Sequence, residues 1–265
     1  MEKAKDDWGN YEIVFDKNYK AGKLNLASQP ALLTHRGGWK NVLGAMKPLH
    51  NKNGVRCETF VECPFDWFRK KNIKQNLIPI VEPWVGFIHN PHNMPNWYDN
   101  PNSVRVENDE HFKFSLNSCK GIFAMSEYHA QGLRSLFPKY SHLFDSVLHP
   151  YSNEKFNEWQ GGNIVLSVGW WLRKQTSIYK VALPKGYRRM KLYPYKKDSE
   201  PYKLVRSKLE AEAKIFNVKL EGMEERHQLD NLQYDELLNQ SIVLMDVFDT
   251  SANNTVLECI QRAVP

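Results

Sequence analysis

The sequence predicts an α/β protein built from two Rossmann-like, doubly wound domains. Three observations carry this expectation. Short apolar runs alternate with helical patterns along the whole chain. A turn-forming stretch from Ser152 to Gly162 is followed by a fresh strand pattern. Strand–turn–helix patterns repeat on both sides of that separator, which places a boundary near residue 155 and divides the chain into 1–154 and 155–265.

In the first part, Ala31 to Thr34 reads as a short strand running into the turn His35-Arg36-Gly37-Gly38, and Trp39, Val42, Leu43 and Met46 give a helical face. Glu58 to Glu62, Val85 to His89, Gly121 to Ala124 and Ser146 to Leu148 are further strand candidates. Ser126 is the expected N-cap of a helix with Leu133, Leu136 and Phe137 on its apolar face, and Glu127 suits its positive end. In the second part, Ile164 to Val168 and Met190 to Tyr193 read as strands. Glu200 to Phe216 reads as an amphipathic helix with Val205, Leu209, Ala213 and Phe216 at the 3.6-residue period and Pro201 in the first turn. Val218 to Glu221 and Ile242 to Val247 are the remaining strands, and a last helix carries Val256, Ile260 and Ala263 on one face. The sequence reaches Val264-Pro265 where another strand is expected, so the second domain reads as truncated or unusually short.

Composition narrows the function classes. With 265 residues, 42% hydrophobic and 25% charged, the chain is that of a folded protein and not a disordered one. No stretch approaches the roughly 18 to 20 apolar residues of a membrane span. The N-terminus MEKAKDDWGN lacks an apolar signal region, which makes the cytoplasm the default location. Cys57, Cys63, Cys119 and Cys259 show no ligand spacing, and no disulfide is expected. A net charge of +6 favours an anionic partner, a peripheral membrane surface included. Much of the excess lies between Lys180 and Lys208, most simply a solvated basic face, and the scattered aromatics do not resemble a nucleic-acid platform.

The stretch from Ser241 to Arg262 is the most informative. An apolar run ends at Asp246 to Asp249, a polar turn from Thr250 to Asn254 follows, and a helix begins. Such a start offers unpaired backbone N–H groups and a positive dipole end, suited to a phosphate. Ser251, Asn253, Asn254 and Thr255 crowd this start, and Glu258 further inside can accept hydrogen bonds from a ribose; an ordinary capped helix is the bland alternative. Gly169, after the strand at Ile164 to Val168, allows a tight turn, and Arg173 or Lys174 then stands ready to neutralise a diphosphate or simply to be surface charge. In the first part, Gly37 and Gly38 permit close approach of a ligand to the backbone, though no GxGxxG or Walker A pattern accompanies them. The run Ile88-His89-Asn90-Pro91-His92 follows a strand end. His89 is the better candidate for a general base or for holding a substrate oxygen, while His-x-x-His without a third ligand argues weakly for metal.

The segments THRGGWKNV, PWVGFIHNPH, CKGIFAMSEYHAQGLR, NIVLSVGWWLRK, LDNLQYDELLNQSIVLMDVFD and SANNTVLECIQRAVP stand in an order that resembles the GT-B glycosyltransferases, in the branch related to the large retaining nucleotide-sugar families. The resemblance implies an N-terminal acceptor domain over 1–154 and a nucleotide-sugar domain over 155–265. It implies transfer from a UDP- or GDP-sugar to a hydroxyl acceptor across a cleft, with no metal and no tightly bound cofactor. By position, Arg173 and Lys174 resemble the family's basic pair facing the donor phosphates, Glu258 its ribose-binding glutamate, and Ser251 through Thr255 the loop and helix start beside the diphosphate. Gly37 and Gly38 resemble the glycine turn near the reaction centre. Where retaining relatives often carry a second acid, eight positions before that glutamate, this sequence has Thr250. Two rivals remain: a sugar-nucleotide epimerase or hydrolase, and a non-enzymatic basic module for nucleic acid or glycan.

Overall fold

Strands β1 (Lys3–Lys5) and β2 (Glu12–Val14) pair antiparallel, and every other strand of the molecule pairs in parallel among the described residues. The structure is a computed structural model that describes residues 3–5, 12–14, 20, 22–27, 37–95, 98, 105–152, 154–251 and 253–265. The chain divides into two units: Met1–Asn93 with Asp99–Ser152, and Met94–Tyr98 with Asn153–Pro265. The strand expected at Ala31 to Thr34, with His35 and Arg36, lies outside the described residues.

In the first unit a parallel sheet runs in chain order through β3 (Leu24–Asn25), β4 (Val55–Glu58), β5 (Trp84–Ile88), β6 (Cys119–Ala124) and β7 (Phe144–Ser146). Its helices are α1 (Trp39–Met46), α2 (Arg69–Lys74), α3 (Glu110–Ser115) and α4 (Glu127–Leu136). Trp84, Ile88, Ile122 and Phe144 from the strands meet Phe112 and Leu133 from the helices in one apolar core. Ser126 caps α4 as its sequence suggests, accepting the backbone N–H of His129 at 3.3 Å. The strand expected at Glu58 to Glu62 instead ends at Glu58. The β-prone run Thr59-Phe60-Val61 turns away, because Glu62 buries its carboxylate and Pro64 opens a π-helical turn at Cys63–Trp67. Phe68 N–H closes that turn on Cys63 O at 3.0 Å.

In the second unit the sheet contains β8 (Ile164–Val168), β9 (Arg188–Tyr193), β10 (Glu224–His227) and β11 (Ser241–Val243), flanked by α5 (Ser177–Lys180), α6 (Glu200–Ile215), α7 (Asn231–Asn239) and α8 (Asn254–Arg262). One face carries Leu166, Met190 and Leu192 against Leu238 of α7; the other sets Tyr193 against Tyr202 and Val205 of α6. This is a sheet covered on both faces. Three expectations need correction. The strand placed at Val218 to Glu221 is the charged edge strand β10, whose Glu224 pairs with Arg188 and whose Glu225 pairs with Arg206 at 2.8 Å. Charge on an edge strand discourages further pairing, which hides it from a search for apolar runs. The strand placed at Ile242 to Val247 stops at Val243. Finally, α8 packs by its polar face. Thr255, Glu258 and Arg262 are buried, while Val256 and Ile260 are 39% and 70% exposed. Arg262 anchors the helix to α7 through Asp235 at 2.7 Å and lies 3.7 Å over the Phe156 ring.

Candidate functional site

The strand order β10-β9-β8-β11 makes β8 and β11 neighbours that are not successive in the chain. The chain moves from β8 outward to β9 and β10, then returns to the other side of β8. Open α/β sheets take ligands beyond the carboxyl ends of the strands at such a point of strand-order reversal. Here the loops after β8 and β11 carry Gly169 to Lys174 and Asp246 to Thr255, the two segments singled out in the sequence.

They are joined by backbone and side-chain bonds. Phe248 N–H donates to Leu172 O and Lys174 N–H to Asp246 O, each at 2.9 Å. Gly169 has φ +72, open only to glycine at little cost, and a Cβ there would lie 3.1 Å from the Arg173 guanidinium carbon. Arg173 therefore folds back over Gly169. Its Nη2 donates to Asn253 Oδ1 at 3.2 Å and to Thr255 Oγ1 at 3.1 Å, and its Nη1 to Trp171 O at 3.0 Å. Asn253 also caps α8, accepting Val256 N–H at 3.3 Å.

The electrostatics of this arrangement are unusual. Arg173 is well buried, and burial pulls its pKa below the ordinary value, with only the phenols of Tyr98 and Tyr234 acting the other way. No carboxylate pairs with it among the described residues, and its Nε has no hydrogen-bond partner among them. The guanidinium instead lies at the positive end of α8. Two positive features are thus brought together with no paired carboxylate among the described residues, a local excess of positive charge that an anion would stabilise.

The second cation is used differently. Lys174 Nζ lies 3.0 Å from Asp246 Oδ1, half-exposed. Burial acts to raise the Asp246 pKa, but hydrogen bonds from Ser177 and Lys174 outweigh it and hold the carboxyl below its usual range. Of the basic pair, Arg173 lies at the helix end without a paired carboxylate among the described residues, and Lys174 has an ion-pair partner in Asp246. Glu258 is buried and accepts the Tyr234 hydroxyl at 2.8 Å, which ties α8 to α7. Ser251 is buried in the turn before α8, and Asn254 opens the helix.

Residues that the sequence reading passed over hold the β8 loop in place. Leu172 has φ +53, costly for a branched side chain, yet it is 3% exposed and its N–H donates to the Tyr98 hydroxyl at 2.6 Å. Buried Glu212 of α6 accepts Thr176 N–H at 2.8 Å, Thr176 Oγ1 at 2.7 Å and Gln175 N–H at 3.1 Å. A carboxylate set in the apolar stripe of Leu209 and Ala213 was the available signal. Lys191, read as part of a solvated basic face, is fully buried on β9. Its Nζ has no hydrogen-bond partner among the described residues. Burial first, and Arg173 second, push its pKa down to about 7 against the pull of Glu212 and Glu225.

In the first unit, Gly37 and Gly38 precede α1. A Cβ at Gly38 would fall 2.2 Å from the Tyr151 carbonyl oxygen, and Gly38 N–H donates to Pro150 O at 3.1 Å, so backbone packing requires the second glycine. His89 follows β5 as expected. Its backbone N–H and that of Asn90 both donate to Glu62 Oε1 at 2.6 Å, and its Nδ1 lies 3.5 Å from Glu62 Oε2. Burial acts to raise the Glu62 pKa, but the His89 and Asn90 contacts outweigh it and keep the group ionised. The His89 ring stacks on Phe60 at 4.1 Å, and its Nε2 has no hydrogen-bond partner among the described residues. Among the described residues no three His, Cys, Asp or Glu side chains gather as a metal site, and no helix is long and apolar enough to cross a membrane.

His92 and His129 stack beside this group at 5.8 Å. His129 is fully buried, and burial pushes its pKa down to about 4 from 6.5, with His92 and His89 adding to the fall and Glu62 opposing it. The folded state therefore resists protonation. Its contribution to stability is complete above pH 6.5 and is lost as pH falls toward 4. About 3 kcal/mol should disappear over that window. In thermal melts the slope should flatten in His129→Gln; an unchanged slope would assign the pH dependence elsewhere.

No protein-family model matches the chain, and no curated protein matches it. Among solved structures, it is similar to apo OtsA at 13% identity and a TM-score of 0.48, over 84% of this chain and 58% of that one. Trehalose-6-phosphate from E. coli bound with UDP-2-fluoro glucose gives 12% identity and a TM-score of 0.49, over 83% and 58%. A structure of accessory secretory protein 1, 2 and 3 in Streptococcus pneumoniae gives 12% and 0.41, over 86% and 42%. The chain thus spans less than two thirds of these solved chains.

Proposed function

We propose that the chain is a glycosyltransferase that moves a sugar from a nucleoside-diphosphate sugar to a hydroxyl acceptor. The observation that carries this reading is Arg173, a buried guanidinium without a carboxylate partner among the described residues, held against the N-terminus of α8 at a strand-order switch. Arg173 and the N–H groups of the first turn beginning at Asn254 would take the donor diphosphate and stabilise the charge that builds on it as the glycosidic bond breaks. Asn253, Thr255 and Gly169 position that guanidinium, Ser251 belongs to the turn before the helix, and Lys174 is a secondary cation. Glu258 would take the ribose hydroxyls while retaining the Tyr234 hydroxyl. On the first unit, His89 is the proposed base or hydroxyl-holding group, with Gly37 and Gly38 shaping the backbone beside it. The GT-B resemblance of the sequence points the same way. The base, the sugar and UDP versus GDP are the finer questions for a donor screen.

Incubation with UDP- and GDP-sugars, with and without hydroxyl acceptors, tests the reaction class. Acceptor-dependent sugar transfer is the expected product; release of free sugar or an epimerised donor without acceptor would assign the chain to the hydrolase or epimerase class. Glu258→Gln separates a ribose role from a purely structural one. The amide can still accept from Tyr234, so the fold should persist, while ribonucleotide affinity should fall by about tenfold as a charged acceptor is lost. The matched 2′-deoxyribonucleotide should change less. Equal losses for the pair would reject recognition of the 2′-hydroxyl.

A further inference from the structure

Met94–Tyr98 stands early in the chain but belongs to the second unit. There Met94 and Tyr98 are buried against Leu172, with Trp170, Trp171 and Phe248 packed around them. The Tyr98 ring meets Trp171 edge-on at 5.5 Å and Phe248 at 5.9 Å. Lys208 of α6 lies over the same ring at 5.0 Å and donates to the Tyr98 carbonyl oxygen. The phenol oxygen so placed makes two bonds to the β8 loop. It accepts Leu172 N–H at 2.6 Å and donates its own proton to Trp170 O. Burial raises the phenol pKa above its ordinary value, so the proton needed for the second bond stays in place.

Leu172 N–H and the Trp171 carbonyl are the two ends of one peptide group, and that group is planar. Tyr98 holds the N–H end, and Arg173 Nη1 donates to the carbonyl end at 3.0 Å. The turn around this peptide has left-handed residues at Gly169 and Leu172, with φ +72 and +53. Leu172 is strained there, so the plane needs outside support to keep its orientation. We propose that Tyr98 is a positioning residue of the anion site, setting through the Trp171–Leu172 peptide the direction in which the Arg173 guanidinium faces the start of α8. A segment remote in sequence from Arg173 thereby controls how tightly a diphosphate is held. This role rests on the reading of Arg173 as an anion ligand, but not on sugar transfer.

The test is Tyr98→Phe in the full chain, which removes the hydroxyl and keeps the ring among Trp171, Phe248 and Lys208. Calorimetric titration with inorganic pyrophosphate should show affinity reduced by about three- to tenfold, the worth of one or two neutral hydrogen bonds. Added to Arg173→Ala, the same substitution should cost nothing further, because its effect passes through the guanidinium. In nitrogen-15 NMR without ligand, the Arg173 Nε–H signal, assigned by its loss in Arg173→Ala, should broaden or shift in Tyr98→Phe. The amide signals of β8 and β9 should stay in place, which shows that the unit remains folded. An unchanged pyrophosphate affinity, an unchanged Arg173 signal, or an equal loss in the Arg173→Ala background would each overturn the role. Pyrophosphate binding that depends on Tyr98 and Arg173, without any affinity for UDP- or GDP-sugars, would keep it and overturn the glycosyltransferase reading. Nucleotide-sugar affinity untouched by Tyr98→Phe would do the reverse. If the wild type binds neither pyrophosphate nor a nucleotide sugar, both are wrong.

Discussion

Lys191→Met is expected to raise the stability of the second unit at neutral pH by about 2–5 kcal/mol. The lysine is fully buried in β9, and its Nζ has no hydrogen-bond partner among the described residues. Burial, helped by Arg173, lowers its pKa from 10.5 to about 7; Glu212, Glu225 and Arg206 also face it, the two acids drawing it up and the arginine down. The unfolded chain holds its proton up to about pH 10.5, the folded chain only to about pH 7. Between those values the unfolded state binds more protons, so the wild-type unit gains stability as pH rises, and below pH 7 it carries the full penalty. Methionine has a comparable shape and no charge to desolvate, so the variant should lose this pH dependence. Hydrogen exchange at β9 and α6 during denaturation follows the second unit specifically. A destabilised Lys191→Met would mean that the ammonium is held by Glu212 or Glu225 as a net-stabilising pair.

Arg173→Ala should weaken binding of UDP or GDP by about ten- to a hundredfold while leaving free-nucleoside binding unchanged, since a charge-assisted contact contributes about 1.5–3 kcal/mol. The guanidinium meets no carboxylate among the described residues, so its removal should not leave an unpaired acid behind. Arg173→Lys should fall between the two, keeping the charge and losing the planar fork that reaches Asn253 and Thr255. Lys174→Ala should cost less, because Lys174 already shares its charge with Asp246 at 3.0 Å. A larger loss from Lys174 than from Arg173 would invert these roles.

Much of the local structure around the candidate site was legible in the sequence. Buried-type runs such as Ile164–Val168 announce themselves by unbroken β-branched and aliphatic residues, and the cap residues Ser126 and Asn253 occupy the positions their side chains suit. Glycine after β8 and polar residues before α8 were visible as local chemistry, but their meeting through Arg173 is a property of strand order, which spacing does not encode. What escaped was polar burial. Glu62 was absorbed into a strand because Thr59, Phe60 and Val61 imitate one. Lys191 vanished into a basic stretch, and β10 hid behind its own charges. The final helix inverted the usual rule: its apolar residues Val256 and Ile260 face outward and its buried face carries Thr255, Glu258 and Arg262, so periodicity pointed to the wrong side.

The most direct measurement is a calorimetric titration of the full chain with uridine, UDP and a UDP-sugar, and with the guanosine series, repeated in Arg173→Ala. A diphosphate site at the junction of β8, β11 and α8 predicts that, in at least one series, the diphosphate binds about a hundredfold or more tightly than the nucleoside. Most of that preference should vanish in the variant. Equal affinity for nucleoside and diphosphate in both series, or a diphosphate preference untouched by the loss of Arg173, would contradict it.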